Sequence, residues 1–254
     1  MTTFTDRVVL VTGGSRGIGR AVARRFAAQG ASVVVQYRAD VAAADETVAS
    51  LEAGGRHRAL TADLAVAEEV DRLVDAVIAG WGRIDVLVNN AGIYEAHPVL
   101  ATSAEGWRAS WRRTIDTNLI GPANLIHAVA PHMVGQGGGR IVNVSSRGAF
   151  RGEPDHAAYG ASKAGLNSLG QSMAHALAPH GVYVTTVAPG FVETDMATPY
   201  LSGPGGAAVR AQSPMGRAAD PDEIARVVVF LATPGAESAT GAIVDVNGAS
   251  YLRT

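Results

Sequence analysis

Short runs of β-branched and other apolar residues alternate with helical segments along this chain, and that alternation restricts its fold more than any other feature. Seven such runs occur, at residues 7–13, 32–37, 57–63, 85–92, 139–146, 182–190 and 242–248. The segments between them, such as 18–30, 68–82 and 221–233, carry apolar residues at helical spacing. Continuous apolar strands separated by amphipathic helices predict a doubly wound α/β fold, a seven-stranded parallel sheet with helices on both faces.

The length and the turn residues predict one domain, residues 1–254, interrupted by one irregular loop. A chain of 254 residues with 47% hydrophobic residues can bury one large core. Four glycines, Gly30, Gly54, Gly80 and Gly181, follow helical segments and are predicted to end them. The stretch 191–217 is rich in Gly and Pro and too long for a plain connection, so we predict that it is a mobile flap over a substrate.

Charge and composition exclude several classes of partner. The formal net charge is -2, which gives no general attraction to nucleic acid or to an anionic membrane surface. The chain has no cysteine, no apolar run long enough to cross a bilayer, and no secretion pattern in its opening residues, so a cytoplasmic protein is expected. No cluster of His, Asp and Glu has the spacing of metal ligands, and no metal is expected.

The first chemical motif is a glycine turn, "VTGGSRGIGR" at residues 11–20. It follows the first strand and opens the first helix, where Gly13, Gly17 and Gly19 would let helix amides approach a pyrophosphate. The spacing is G-x-x-x-G-x-G, and a glycine turn alone can be merely structural. Its position at the first strand–helix junction favours a dinucleotide site.

The residues that end the second strand indicate which dinucleotide binds. A carboxylate at this position binds the ribose 2′-hydroxyl of NAD(H), and it would repel the 2′-phosphate of NADP(H). The chain instead has Gln36, Tyr37 and Arg38, with no acid before Asp40. Arg16 in the glycine turn can reach the same phosphate, so we predict NADP(H) in preference to NAD(H). The alternative is that Arg38 is only a solvated surface residue.

Lys163 is the only lysine among the 21 Lys and Arg residues, and it follows Tyr159 by four positions. At the start of a helix this spacing places the two side chains on one face. A nearby ammonium stabilises a phenolate, so we expect Lys163 to lower the pKa of Tyr159 from its usual value near 10. A compact ammonium can also bond ribose hydroxyls, which the planar guanidinium of arginine does less well.

Five motifs in register resemble the classical short-chain dehydrogenase/reductase family over essentially the whole chain. They are "TGGSRGIG", "NNAG" at 89–92, "NVSS" at 143–146, "YGASK" and "PGFVETDM" at 189–196. The resemblance implies a Rossmann-type fold, an NAD(P)-dependent oxidoreductase, and usually a homotetramer, less often a dimer. It also implies a catalytic tetrad, which consists here of Asn118, Ser146, Tyr159 and Lys163.

The roles implied by the family are carried over residue by residue. Ser146, 13 positions before Tyr159, takes the role of the hydroxyl that holds a substrate carbonyl oxygen, and Ser145 becomes a strand-end residue. Tyr159 would protonate that oxygen. Asn118 matches the family asparagine that anchors a proton-relaying water, although a buried helical asparagine could be purely structural. The implied cofactor contacts are Gly13, Ser15, Arg16, Gly17, Ile18, Gly19, Tyr37, Arg38, Asp63, Leu64, Asn90, Ala91, Gly92, Tyr159, Lys163, Pro189, Gly190, Val192 and Thr194.

The substrate is the least defined part of the prediction. We predict an NADPH-dependent ketoreductase for small or medium carbonyl compounds, with substrate walls at 94–99, 147–155 and 191–200. Three alternatives remain open: an NAD-dependent alcohol dehydrogenase, a 3-oxoacyl-carrier-protein reductase, and a redox sensor that binds NADP without turnover. The carrier-protein branch of the family carries Thr-Arg-Asp after the "NNAG" turn, whereas this chain has "IYEAHPVLATSAEGW", which disfavours that branch.

Three aromatic side chains near the substrate walls are open to more than one interpretation. His156, three residues before the tyrosine, could touch substrate, but we expect it to be a solvated loop residue. Trp107 and Trp111 lie at helical spacing and are expected to serve packing.

Overall fold

All seven predicted strands are present and form one parallel sheet. The computed structural model describes residues 4–52 and 54–253. The strands are Val8–Val11 (β1), Ser32–Tyr37 (β2), Arg58–Thr61 (β3), Val86–Asn89 (β4), Gly139–Val144 (β5), Val182–Pro189 (β6) and Ile243–Val246 (β7). They pair in the order β3-β2-β1-β4-β5-β6-β7, every neighbour parallel. The predicted Rossmann-type fold is confirmed.

The helices cover both faces of the sheet. They are Gly17–Ala27 (α1), Val41–Ala49 (α2), Ala67–Trp81 (α3), Ala104–Ile115 (α4), Gly121–Gly135 (α5), Gly148–Arg151 (α6), Ala157–Leu177 (α7), Thr198–Leu201 (α8), Gly206–Arg210 (α9) and Pro221–Leu231 (α10). A π-helical turn, Asp116–Ile120, joins α4 to α5, and short 3-10 turns lie at Ala178–His180 and Glu237–Ala239.

The core divides into two layers because side chains alternate along each strand. In β1, Val9 and Val11 pack in the cluster that contains buried residues of α1 and α10. Val8 and Leu10 point to the opposite face and pack with residues of α3, α5 and α7. Strands buried on both faces explain why the sequence shows continuous apolar runs and no polar alternation.

One sequence prediction about connections is corrected by the structure. Gly80 lies inside α3, and the left-handed residue that ends that helix is Gly82, with φ of 75°. Gly80 and Gly82 flank Trp81, so the presence of glycine alone does not indicate which of them ends the helix. The flap 191–217 contains the short helices α8 and α9, and Leu201 there packs with Ala197 and Ala218.

The sheet order creates a crevice where the chain reverses direction across the sheet. β1 lies between β2 and β4, so the connections from these strands leave to opposite sides. Ligands of open parallel sheets bind at the carboxyl ends of the strands at such a point. In this chain those ends carry the glycine turn after β1 and the "NNAG" turn after β4.

Candidate active site

The glycine turn is built for close approach of a backbone to an anion. Gly13 and Gly17 have φ of 59° and 51°, which favour glycine. A Cβ on Gly19 would lie 2.3 Å from the carbonyl oxygen of Gly13, so only glycine fits there. The first turn of α1 carries no acidic residue, and its N-cap residue Arg16 makes no side-chain cap hydrogen bond. The helix amides and the positive end of the helix dipole are therefore free to receive a pyrophosphate.

Side chains from the two strands that flank β1, or from just beyond their ends, hold the glycine turn in place. Gln36 on β2 accepts a hydrogen bond from the Gly13 amide at 2.9 Å and donates to the Ala62 carbonyl at 2.7 Å. The Asn90 side chain donates to the carbonyls of Thr12 and Gly13 at 2.8 and 3.2 Å. The pattern at the end of the second strand indicates only that Gln36 is not an acid. A polar residue inside a buried strand was the signal that could have revealed this supporting role.

One cavity of about 630 Å³ runs from the glycine turn to the flap. Of the predicted cofactor contacts, all but Gly19 and Tyr37 line it, as do three of the four tetrad residues. Asn118 is fully buried behind the cavity wall. Lining residues outside the predicted contacts and walls include Gln36, Ala62, Thr117 and Val144.

The charged groups at the β2 end of the cavity are arranged around Arg16. Its guanidinium lies 3.6 Å from the carboxylate of Asp40 and 3.7 Å from that of Asp195. Asp40 also caps α2, where its Oδ1 accepts from the Ala43 amide at 3.0 Å. Arg38 lines the same end of the cavity. Asp40 is thus occupied by a helix cap and an arginine at this site.

The π-helical turn positions Asn118. A π turn inserts one residue into a helix and commonly marks a functional site. The Asn118 Oδ1 accepts from the Ile93 amide at 2.8 Å, and its Nδ2 donates to the Ile93 carbonyl at 3.0 Å and to the Ser162 hydroxyl at 3.2 Å. Ser162 donates in turn to the Tyr159 carbonyl at 2.7 Å. Asn118 therefore ties the "NNAG" turn to the helix that carries Tyr159 and Lys163.

The two adjacent serines have different surroundings. The buried Ser145 donates to the Lys163 carbonyl at 3.2 Å and so braces α7. The Ser146 hydroxyl accepts from the Gly148 amide at 3.0 Å and lines the cavity next to Tyr159. Of the two hydroxyls, that of Ser146 accepts from the first amide of α6, which leaves its proton available to Tyr159 or to a ligand.

Lys163 is 3% exposed and carries its ammonium deep in the protein. Its Nζ donates to the Val144 carbonyl at 2.9 Å and lies 5.7 Å from the centroid of the Tyr159 ring. Burial lowers the pKa of Lys163 to about 8. At neutral pH this lysine is close to the range in which it exchanges a proton.

Tyr159 departs from the sequence expectation of a lowered pKa. Burial raises its pKa to about 12, the Ser146 hydroxyl lowers it, and the Glu153 carboxylate raises it further. The prediction that Lys163 lowers the pKa of Tyr159 is wrong for the cofactor-free chain. Desolvation of the phenol is the larger effect, and the ammonium of Lys163 points to a backbone carbonyl. The phenol is consequently protonated at neutral pH.

An aromatic cluster lies at the Tyr159 end of the cavity. Tyr94 stacks on His156 with ring centroids 3.8 Å apart, and it meets Tyr159 edge-on at 4.7 Å. The His156 Nε2 lies 2.8 Å from the hydroxyl of Tyr200 on α8, which connects the flap to this cluster. The expectation of a solvated His156 is wrong: the residue is 5% exposed, and burial is the main cause that lowers its pKa.

A second histidine, His97, lies in the predicted substrate wall 94–99 but does not line the cavity, and it anchors the start of α7. His97 is 1% exposed, and its Nε2 accepts a hydrogen bond from the Ala158 amide at 3.0 Å. Its Nδ1 lies 2.9 Å from the Glu95 carbonyl, so Nδ1 carries the proton. Its ring meets Trp107 edge-on at 5.3 Å, in keeping with the packing role expected for the tryptophans. Ala158 directly precedes Tyr159, so His97 holds the backbone from which the phenol projects.

The described residues contain neither a metal site nor a helix that could span a membrane. In residues 4–52 and 54–253, no group of three His, Cys, Asp or Glu side chains could hold a metal ion. Over the same ranges, none of the helices is long and apolar enough to span a bilayer.

Comparison with known proteins gives matches over nearly the whole chain. The family model described as "Enoyl-(Acyl carrier protein) reductase" matches residues 13–249. A "3-oxoacyl-[acyl-carrier-protein] reductase" of Synechocystis sp. is 42% identical over 99% of this chain and 100% of the relative. The FabG protein of Staphylococcus aureus, with the same description, is 39% identical over 96% of this chain and 97% of its own. The crystal structure of a short-chain dehydrogenase from Burkholderia cenocepacia "in complex with NADP" superimposes with a TM-score of 0.88 at 34% identity, covering 97% of this chain and 98% of that one.

Proposed function

Since the chain belongs to the short-chain dehydrogenase/reductase family, we propose that it is an NADPH-dependent reductase of 3-oxoacyl thioesters. As a member of that family it is an NAD(P)-dependent oxidoreductase acting on CH–OH donors and carbonyl acceptors. The observation that carries the substrate class is the Synechocystis relative, a 3-oxoacyl-carrier-protein reductase 42% identical over its full length.

The residues around the cavity fit a nicotinamide dinucleotide. The glycine turn leaves a cradle that any Cβ on Gly19 would fill, and α1 offers unpaired amides beside it. Asp63 and Leu64 would flank the adenine, Asn90 to Gly92 the adenosine ribose, and Pro189 to Thr194 the nicotinamide end. When bound, the reduced nicotinamide supplies a hydride to the substrate carbonyl carbon.

The charges near the end of β2 support NADPH as the preferred cofactor. Arg16 and Arg38 both line that end of the cavity, and a 2′-phosphate needs positive charge. The nearest acid, Asp40, is engaged by the cap of α2 and by Arg16. The Burkholderia structure holds NADP in a fold of the same family. Arg38→Asp should therefore shift the ratio of kcat/KM from NADPH toward NADH, and an unchanged ratio would show that Arg38 does not contact the phosphate.

The tetrad provides the groups that a ketone reduction needs. The Ser146 hydroxyl would donate to the substrate carbonyl oxygen and meet the charge that develops there. Tyr159, protonated at neutral pH, would give its proton to the same oxygen as the carbonyl becomes an alcohol. Lys163, with a pKa of about 8, can then supply a proton to the site. The oxygen gains one proton and the carbon one hydride, which balances the reaction.

A second candidate is a reductase of free ketones, favoured by the composition of the substrate walls. Tyr94, Phe191 and Tyr200 line the chamber and make it aromatic, and the segment after the "NNAG" turn lacks the Thr-Arg-Asp pattern of the carrier-protein branch. We also propose a homotetramer, which the resemblance implies and which analytical ultracentrifugation would test.

One assay separates these possibilities. Oxidation of NADPH by the purified protein is followed with acetoacetyl-CoA, an acetoacetyl carrier protein and a panel of free ketones. We expect the highest kcat/KM with a 3-oxoacyl thioester, and Tyr159→Phe should abolish turnover while cofactor affinity stays nearly unchanged. A panel in which only free ketones react would replace the first candidate by the second. Binding of NADPH without turnover of any substrate would indicate a redox sensor.

A further inference from the structure

Arg147 is a buried cation in the wall of the substrate chamber. It directly follows Ser146, lines the same cavity, and is 3% exposed. Its backbone amide donates to the Pro189 carbonyl at 2.9 Å, and its guanidinium carbon lies 5.0 Å from the centroid of the Phe191 ring. The flap and the end of β6 therefore fix the guanidinium in position. Burying a charge is unfavourable unless a partner compensates it.

Two guanidinium groups converge on a single neutral oxygen at this point. Arg147 Nη2 donates to the side-chain oxygen of Gln212, and Arg151 Nη1 donates to the same Oε1 at 3.0 Å. Among the described residues, no carboxylate lies within 4.0 Å of either guanidinium. Burial, and then the charge of Arg151, lower the pKa of Arg147, and the Glu153 carboxylate opposes them only in part, from beyond hydrogen-bond distance. The acceptor that the two cations share is therefore a neutral amide oxygen, whereas an anionic oxygen would compensate their charge.

We propose that Arg147 and Arg151 form a subsite for an anionic oxygen group of the substrate, a carboxylate or a phosphate, whose place is taken here by the amide of Gln212. Ionised acceptors form hydrogen bonds about twice as strong as neutral ones. Gln212 is an exposed side chain of the flap, so its displacement by a ligand costs little free energy. This inference rests on the proposed function, because it names the chemistry of that substrate beyond its ketone.

Glu153 defines the side of the chamber that an anion avoids. It lines the cavity, accepts from the Tyr94 hydroxyl at 3.4 Å, and raises the pKa of both Tyr94 and Tyr159. Its negative charge repels an anion from the Tyr94 wall. The subsite therefore lies on the side of Arg147 that faces Gln212, and a substrate would extend from Ser146 in that direction.

The test compares substrates that share a ketone but differ in charge. Acetoacetate is compared with methyl acetoacetate, and acetoacetyl-CoA with the phosphate-free acetoacetyl-N-acetylcysteamine thioester. We expect the charged member of at least one pair to have the higher kcat/KM by about 10- to 100-fold, as a charge-assisted contact provides. The first pair identifies a carboxylate as the ligand group, and the second pair identifies a phosphate.

Variants assign the preference to the two arginines. Arg151→Gln and Arg147→Gln should each reduce the ratio of kcat/KM for the charged substrate to kcat/KM for its uncharged partner at least about tenfold. Arg151 is exposed, so its substitution should leave the fold intact. Gln212→Ala removes the competing oxygen and should lower the KM of the charged substrate. Arg72→Gln, an exposed arginine on α3, is the matched control and should leave the ratio unchanged.

A measurement without turnover keeps the two proposals separable. In phosphate-free buffer, 3-hydroxybutyrate should raise the melting temperature of the protein more than its methyl ester does, and Arg151→Gln should remove the difference. If methyl acetoacetate is reduced but neither charged member is preferred, and the two melting shifts are equal, the anion subsite is refuted while the proposed function stands. If no ketone is reduced, the proposed function fails, and the melting shifts alone decide whether the subsite exists.

Discussion

Replacing Lys163 by methionine should stabilise the cofactor-free protein at neutral pH while it removes ketone reduction. Burial lowers the pKa of this lysine from 10.5 to about 8, and each unit corresponds to about 1.4 kcal/mol. The charged lysine therefore destabilises the folded state by about 3 kcal/mol. The lost hydrogen bond to the Val144 carbonyl offsets about 1 to 2 kcal/mol. A net gain of about 1 to 2 kcal/mol in the free energy of unfolding remains.

The pH dependence of this difference follows from the two pKa values of Lys163. Below pH about 8 the lysine is charged in both the folded and the unfolded state, so the destabilisation is complete. Between about 8 and 10.5 the unfolded state binds more protons than the folded state, and the stability of the wild-type protein rises with pH relative to the variant. Above 10.5 the lysine is neutral in both states. The wild-type protein is then the more stable one, because it alone keeps the bond to Val144.

Urea denaturation of both proteins at several pH values between neutral and alkaline measures this difference. Groups common to the two proteins titrate in both and cancel. Arg72→Met on the exposed face of α3 is a control whose difference from wild type should not vary over this range. A Lys163→Met protein that is less stable than wild type at pH 7 by an amount independent of pH would refute the claim that a buried, destabilised ammonium occupies this position.

Two other substitutions test the supports of the site. His97→Leu preserves volume but leaves the Ala158 amide and the Glu95 carbonyl without partners. We therefore expect the free energy of unfolding, measured by urea denaturation, to fall by about 2 to 5 kcal/mol, and kcat to fall as well. The exposed substitution His127→Leu is the control, and equal stability of the two variants would contradict the anchoring role. Gly19→Ala places a methyl group 2.3 Å from the Gly13 carbonyl and should weaken NADPH binding at least tenfold in a fluorescence titration, whereas wild-type affinity would mean that the turn relaxes freely.

The sheet was predictable because its cause is local. Strands such as β1 are buried on both faces, so their sequence is continuously apolar, and every strand before β7 is followed by a helix that crosses back over the sheet. The glycine turn was predictable for a similar reason, since the positive φ of Gly13 and Gly17 and the contact of Gly19 restrict those positions to one residue type.

The parts that sequence patterns missed depend on contacts between distant segments. His97 reaches an amide 61 positions away, and Gln36 bonds the glycine turn 23 positions before it, so no periodicity reveals either role. The pKa of Tyr159 was misjudged because spacing along a helix gives proximity to Lys163 but not the degree of desolvation, which here is the larger effect. His156 was misjudged for the same reason, since Tyr94 and Tyr200 come from distant segments to bury it.

The π-helical turn at Asp116–Ile120 has a consequence for the register of the long helical run from 104 to 135. One surplus residue there rotates the half before the turn against the half after it by about 100° relative to an uninterrupted helix. Deleting a single residue between 116 and 120 would restore ordinary pitch and a longer regular helix. The same deletion would rotate the side-chain amide of Asn118 away from Ile93, and the hydrogen bonds that link the "NNAG" turn to α7 would be lost. The geometry of the proposed tetrad is thus held by an irregularity that a regular helix would remove.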